Sequence, residues 1–332
     1  MQKIPGRSGS TNKPTGTHLN KISLNKYSVL TIQILQPHFS SEIIRLKTNK
    51  MKIQVLLPTD FSAVSLNAIF YAADFAQHIP CDITLLHVLY FDGPPPATGN
   101  AQELEAELQE HAKREMVHIL EDIQQKYPDN TTSVNYKIIS SYPVEEGIEE
   151  ETRQQPYDLI MMGSKGSTGL KKIILGSNAI AVLRNCSLPV CIIPEYARFQ
   201  GLEKLVYASD ITNLHSELSG LLPFAQYWNA EIKVLHVIPD NSTYKGSTQA
   251  AADHVVDEII AQSGYKNIDV HILESDAIAH GIVTYAANIK ADMVALYVPK
   301  KSRWKQFISG DITRDLAAEC MLPLIIFPKP TA

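Results

Sequence analysis

Leu159-Ile160-Met161-Met162-Gly163-Ser164-Lys165-Gly166, nine further residues, then Gly176-Ser177-Asn178, is the stretch that decides the fold. A short apolar run ends on a glycine loop, and a helical pattern opens after it. A strand passing through a loop into a helix is one unit of a parallel sheet. The same arrangement suits a phosphate chain. Glycines let the backbone approach closely and reach φ > 0. Free N–H groups at the helix start, together with the helix dipole, favour a polyanion. Ser177 adds a hydroxyl donor, and Lys165, Lys171 and Lys172 put positive charge around the loop.

Outward from this stretch the chain repeats itself. Leu188-Pro189-Val190 recurs as Leu322-Pro323-Leu324, and Asp158 as Asp292, both at an offset of 134. Upstream the offset grows: His87-Val88 recurs as His236-Val237 (149) and Asp60 as Asp210 (150). The first copy is thus about 15 residues longer, an excess falling in the charged helical stretch Gln102–Tyr127, with Leu104, Leu108 and Ala112 on one face. Each copy alternates strand and helix. The first reads as strands over 53–57, 83–89, 133–139, 158–162 and 190–193, with Ser62 capping the first helix. The second reads as strands over 204–208, 232–238, 269–273, 293–298 and 324–327. Its helices span 214–228, 250–263, 278–289 and 311–320. Strict alternation predicts an α/β fold of two tandem, doubly wound, Rossmann-like parallel-sheet domains, with ligands beyond the carboxyl ends of the strands.

Charge is unevenly placed. Residues 1–50 hold eight Lys/Arg and one acid, Glu42, a net of +7; the whole chain is −5, so residues 51–332 carry −12. An acidic body argues against nucleic acid as a partner. No apolar run approaches the ~18–20 residues of a membrane span. The four cysteines, Cys81, Cys186, Cys191 and Cys320, show neither a CxxC pair nor a metal-ligand spacing and read as buried small hydrophobes in a reducing cytoplasm. Residues 1–50 show no continuous apolar signal region. Met51 directly precedes a complete first strand, so 1–50 is read as a disordered or non-native extension whose removal leaves folding and binding unchanged.

With these residues in view a resemblance emerges. Gly163-x-x-Gly166-(nine residues)-Gly176-Ser177 after the fourth strand resembles the nucleotide signature of the ATP-binding universal stress proteins. Pro58-Thr59-Asp60-Phe61-Ser62 resembles that family's first motif, Leu85-Leu86-His87-Val88 its second strand, and Leu188–Pro194 its fifth. The resemblance covers nearly all of 51–332 as two copies: 51–196, a nucleotide-binding domain, and 202–330, one with a degenerate motif. It implies five-stranded sheets in the order 3-2-1-4-5. It implies ATP, alone or with Mg, as cofactor. Pro58, Thr59 and Asp60 would bound the adenosine, with Asp60 near the ribose. Val88 would meet the adenine, and Met162 and Gly163 would lie along base and ribose. Gly166, Gly176, Ser177 and Asn178 would hold the phosphates. The bland alternatives are a helix cap for Asp60, plain core for Val88, a structural strand-end role for His87 and His236, and a solvated loop charge for Lys165.

The second copy departs from this pattern. Gly163 becomes Tyr297, Gly166 becomes Lys300, and Ser177 becomes Asp311, while Gly176 is kept as Gly310. A carboxylate where a phosphate should sit repels it. Lys300, Lys301, Arg303 and Lys305 beside Trp304 read either as a solvated loop or as a site for another anion. The leading function is therefore a cytoplasmic, nucleotide-responsive stress-response module without dedicated catalysis. A slow ATPase or nucleotidyl-transfer enzyme is the alternative, although no acid/base pair can be placed beside the phosphate loop. Finally, each copy ends in an apolar strand bounded by prolines, Pro189–Pro194 and Pro323–Pro328. An exposed apolar edge must be covered, so an intramolecular pseudo-dimer is expected, with the two fifth strands side by side and the nucleotide cleft facing away from that seam.

Overall fold

The computed structural model describes residues 52–90, 101–128, 132–164, 176–238, 245–298, 316 and 320–328. The extension 1–50, the loop residues Lys165, Gly166, Lys171 and Lys172, and the second-copy residues Lys300–Lys305, Gly310 and Asp311 lie outside the described residues.

The first copy runs β1 (Ile53–Pro58), α1 (Ala63–Phe75), β2 (Cys81–Leu89), α2 (Ala101–Lys126), β3 (Val134–Ser140), α3 (Val144–Gln154), β4 (Leu159–Gly163), α4 (Ser177–Asn185) and β5 (Val190–Ile193). The second runs β6 (Lys204–Ala208), α5 (Leu214–Trp228), β7 (Glu231–Ile238), α6 (Lys245–Ser263), β8 (Ile268–Glu274), α7 (Ile278–Asn288), β9 (Met293–Val298) and β10 (Leu324–Pro328). All strands join one sheet in the order β3-β2-β1-β4-β5-β10-β9-β6-β7-β8. Each half has the expected order 3-2-1-4-5. Among the described residues no helix is long and apolar enough to cross a membrane.

Alternation along the strands sorts the core into two layers. Val55 and Leu57 of β1 face one side and Leu56 the other. The first layer takes its helical cover from α1, α2, α5 and α6, through residues such as Ala72, Met116, Leu218 and Val256. The second takes it from α3, α4 and α7, through Ile148, Val182 and Ile282. Central strands buried on both faces read as continuous apolar runs. The buried stripe of α2 is Ala112, Met116, Ile119 and Ile123. Of the anticipated face Ala112 is buried, Leu108 half-buried and Leu104 exposed. Burial on α2 begins at Ala112, so apolar spacing in its first turns marks no core contact.

At the seam β5 and β10 pair antiparallel, with Ile192 opposite Leu324, Cys191 opposite Ile325, and Val190 opposite Ile326. The two fifth strands cover each other's edge, as the proline-bounded runs predicted. Beside the seam the connector is clamped. Asn67 Nδ2 of α1 donates to the carbonyls of Pro194 (2.8 Å) and Ala197 (3.1 Å), and Arg198 donates to Asn67 Oδ1. Phe199 then packs edge-on against Tyr71, Phe75 and, from the second copy, Trp228. Aromatic pairs of this kind add about 0.5–1.5 kcal/mol each beyond simple burial. The recurring aspartates also have a shared task. Asp158 accepts from the Gln54 N–H, and Asp292 from those of Glu203 and Lys204, fastening the start of each fourth strand to the first. Cys81, Cys191 and Cys320 are buried and Cys186 is half-buried; all four are free thiols.

Candidate functional site

The site begins at the turn after β1. The Thr59 hydroxyl accepts from the Phe61 N–H (3.1 Å) and the Asp60 carboxylate from the Ser62 N–H (3.1 Å). This bends Phe61 into the left-handed region at φ 61°, an uncommon conformation for a bulky residue. His87, at the end of β2, locks the turn: its Nδ1 lies 2.8 Å from the Thr59 carbonyl, and its ring stacks on Phe61 at 4.3 Å. A carbonyl can only accept, so Nδ1 carries the proton. Burial pushes the His87 pKa down, against the opposing pull of Thr59 and Asp60. Ser62 then caps α1 by accepting from the Ser65 N–H. Burial alone would raise the Asp60 carboxyl. The donors of Ser62 and the Ser65 hydroxyl outweigh it and hold Asp60 below the usual carboxylate range.

The second wall is β4 and α4. Helix α4 starts at Ser177 with no side-chain cap among the described residues and no acid in its first turn. Such an end is open to an anion. Gly176, the N-cap, has φ −62°, a backbone that any residue adopts. The Ser164 hydroxyl is buried and has no partner among the described residues.

Between these walls lies a cleft of about 560 Å³ at the carboxyl ends of β1 and β4, the switch point of the first half. It brings together Pro58, Thr59, Asp60, Val88, Met162, Gly163, Gly176, Ser177 and Asn178, every candidate residue except Gly166, which lies outside the described residues. The cleft also takes in Tyr90, Val144, Ile148, Ser164 and Glu195, which the motif reading did not include. Ser164 stands inside the glycine stretch and was legible there. Val144 and Ile148 come from α3, and only the tertiary fold delivers them. Glu195 lies two residues beyond β5, so the cleft reaches the end of a seam strand instead of turning wholly away from it.

A partial copy exists in the second half. The turn after β6 repeats the first: the Ser209 hydroxyl accepts from Ile211 N–H, Asp210 from Thr212 N–H, and His236 Nδ1 sits 2.8 Å from the Ser209 carbonyl. Ile211 is again left-handed, at φ 56°. The structural reading of both histidines is what the structure shows. The opposite wall differs. Tyr297 occupies the place of Gly163 and stacks on Phe327, and Glu217 occupies that of Asn67 and accepts from the Tyr207 hydroxyl. The remaining space is about 130 Å³.

A nucleotide fits the first cleft by the chemistry of its donors: a helix start without a cap and a Ser164 hydroxyl without a partner, both among the described residues. Among the described residues no group of three or more His, Cys, Asp or Glu is placed to hold a metal ion.

Known proteins share this architecture. The chain matches the universal stress protein family over residues 53–194 and 218–328. Universal stress protein MJ0531 of Methanocaldococcus jannaschii is 31% identical over 169 residues, covering 50% of this chain and 95% of that protein. Universal stress protein MJ0577 of the same organism is 28% identical over 152 residues, covering 42% and 93%. The crystal structure of a universal stress protein from Archaeoglobus fulgidus superposes with a TM-score of 0.65 at 20% identity, covering 83% of this chain and 98% of that one, a likeness of fold. With both of its halves matched and the family's doubly wound sheet in each, the chain belongs to the universal stress protein family.

Proposed function

We propose that this universal stress protein binds one ATP per chain, in the first cleft, and serves as a nucleotide-responsive regulatory module in the cytoplasm. The observation that carries the reading is the convergence of the turn after β1 with the uncapped start of α4 around a space of about 560 Å³, within the ~300–1,000 Å³ typical of ligand sites. In this reading Asp60 meets the ribose and Val88 the adenine, while Gly176, Ser177 and Asn178 present N–H groups to the phosphates. Gly166 joins them by its place in the motif, and Mg accompanies the phosphates as counter-ion. The second cleft, about 130 Å³ with Tyr297 and Glu217 in its lining, lies below that range and is not assigned a nucleotide.

Calorimetric titration of the full chain with ATP tests this. The expected stoichiometry is one. Ser177→Ala, which removes a hydroxyl donor at the start of α4, is expected to weaken binding without lowering the melting temperature. A stoichiometry of two, or no binding, overturns the proposal.

A further inference from the structure

The second cleft lies at the same place in its half as the first, at the carboxyl ends of β6 and β9, where doubly wound sheets take ligands. Its volume, about 130 Å³, is close to that of a cavity of ~150 Å³ that accepts benzene, so it suits about six heavy atoms. Leu235, Ile282 and Leu296 give it an apolar wall. Polar groups line the rest: Ser209, Asp210 and His236 at the turn, and the buried Tyr207 and two others. One is the Glu217 carboxylate, 1% exposed and accepting from Tyr207. The other is the Tyr297 hydroxyl, in a side chain 6% exposed, with no partner among the described residues.

A buried hydroxyl without a partner is costly, and its oxygen can accept from a ligand N–H. The sign of charge selects further. The described lining holds the carboxylates of Glu217 and Asp210, the His236 imidazole held on the Ser209 carbonyl, and no lysine or arginine, a balance that disfavours an anion. We propose that the second cleft binds a small aliphatic ammonium compound, its nitrogen between Glu217 and Tyr297 and its alkyl body on the apolar wall. The site is separate from the nucleotide cleft and does not depend on the ATP reading.

The probe is n-butylammonium, titrated into the methyl-labelled full chain, with butyrate and butan-1-ol as comparators and ATP titrated in parallel. The expected result is saturable binding that shifts the Ile282 and Leu235 methyls, at least tenfold tighter than either comparator. Glu217→Gln should weaken it at least tenfold and Tyr297→Phe at least threefold. Ile282→Phe, which fills the space, should abolish it while ATP titrates as in the wild type. Butyrate binding as well as butylammonium, saturating shifts away from these methyls, or wild-type affinity in Tyr297→Phe together with Ile282→Phe overturns the proposal. Tyr297→Phe and Ile282→Phe keep it testable should Glu217→Gln fail to fold.

Discussion

Gly163 and Val64 are in backbone contact: a Cβ on Gly163 would stand 2.7 Å from the Val64 carbonyl oxygen and 2.8 Å from its carbonyl carbon. The glycine at the end of β4 is therefore required by the first turn of α1, before any ligand is considered. Ser62, Val64 and Ser65 of that turn line the cleft, as does Met162 beside the glycine. Gly163→Ala must push α1 away from β4, an overpacking of about 1–3 kcal/mol. The expected outcome is a lower melting temperature together with ATP affinity reduced about tenfold, equivalent to about 1.4 kcal/mol. Thermal melts and calorimetry on the same sample check both halves.

Tyr297 gives the opposite sign. Its hydroxyl is buried without a partner among the described residues and abuts Gly220 of α5, where a Cβ would come within 2.5 Å of it. An unsatisfied buried polar group costs about 1–3 kcal/mol. Tyr297→Phe should therefore stabilise the protein by about 1 kcal/mol or more in denaturant unfolding without added ligand. Tyr207→Phe removes a hydrogen bond to the buried Glu217 carboxylate. It should destabilise by about 1.5–3 kcal/mol, the range for hydrogen bonds to charged groups.

The seam is tested with charge. Ile192 and Ile326 are each 2% exposed and belong to the same core layer. Ile192→Lys with Ile326→Lys places ammonium groups inside that apolar layer, at a cost of several kcal/mol. Two apolar edges would be unmasked as β5 and β10 part. Light scattering should then report self-association, and the melt should lose its single cooperative step. A monomer with the wild-type melt would show that the pairing of Ile192 with Leu324 contributes little.

His87 predicts a pH dependence. Its folded pKa is lowered by burial, so the native state takes up a proton less readily than the unfolded chain, where imidazole titrates near ~6.5. Its contribution is full above that pH and declines as pH falls below it, until the folded value is passed. Of its titratable neighbours, Asp60 opposes the lowering and His111 adds to it. His87→Gln keeps a donor for the Thr59 carbonyl but does not titrate. Denaturant unfolding between pH 7.5 and 5.5 should show the wild type losing more stability than the variant; parallel curves would contradict this.

Much of the architecture was legible because local chemistry repeats. The strands at Val190–Ile193, Lys204–Ala208 and Met293–Val298 and the helix Leu214–Trp228 fall where periodicity and turn residues put them. The duplicated Asp60/Asp210 and His87/His236 announced two copies of one turn. The glycine stretch named Met162, Gly163, Gly176, Ser177 and Asn178 of the cleft lining, since its backbone is set within twenty residues. Other features depend on groups far apart in the chain. Nothing around Leu104 says that α2 is uncovered there. Nothing around Glu195 or Ile148 says that they reach the cleft. The change from Gly163 to Tyr297 is visible in sequence. That the new ring lies under the sheet on Phe327, with its hydroxyl against Gly220 and in the same cavity lining as the Glu217 carboxylate, is set by the packing of α5 on β9. Periodicity fixes which face a residue takes. Only the close packing of distant elements fixes what it meets there, and that decided which half keeps the larger cleft.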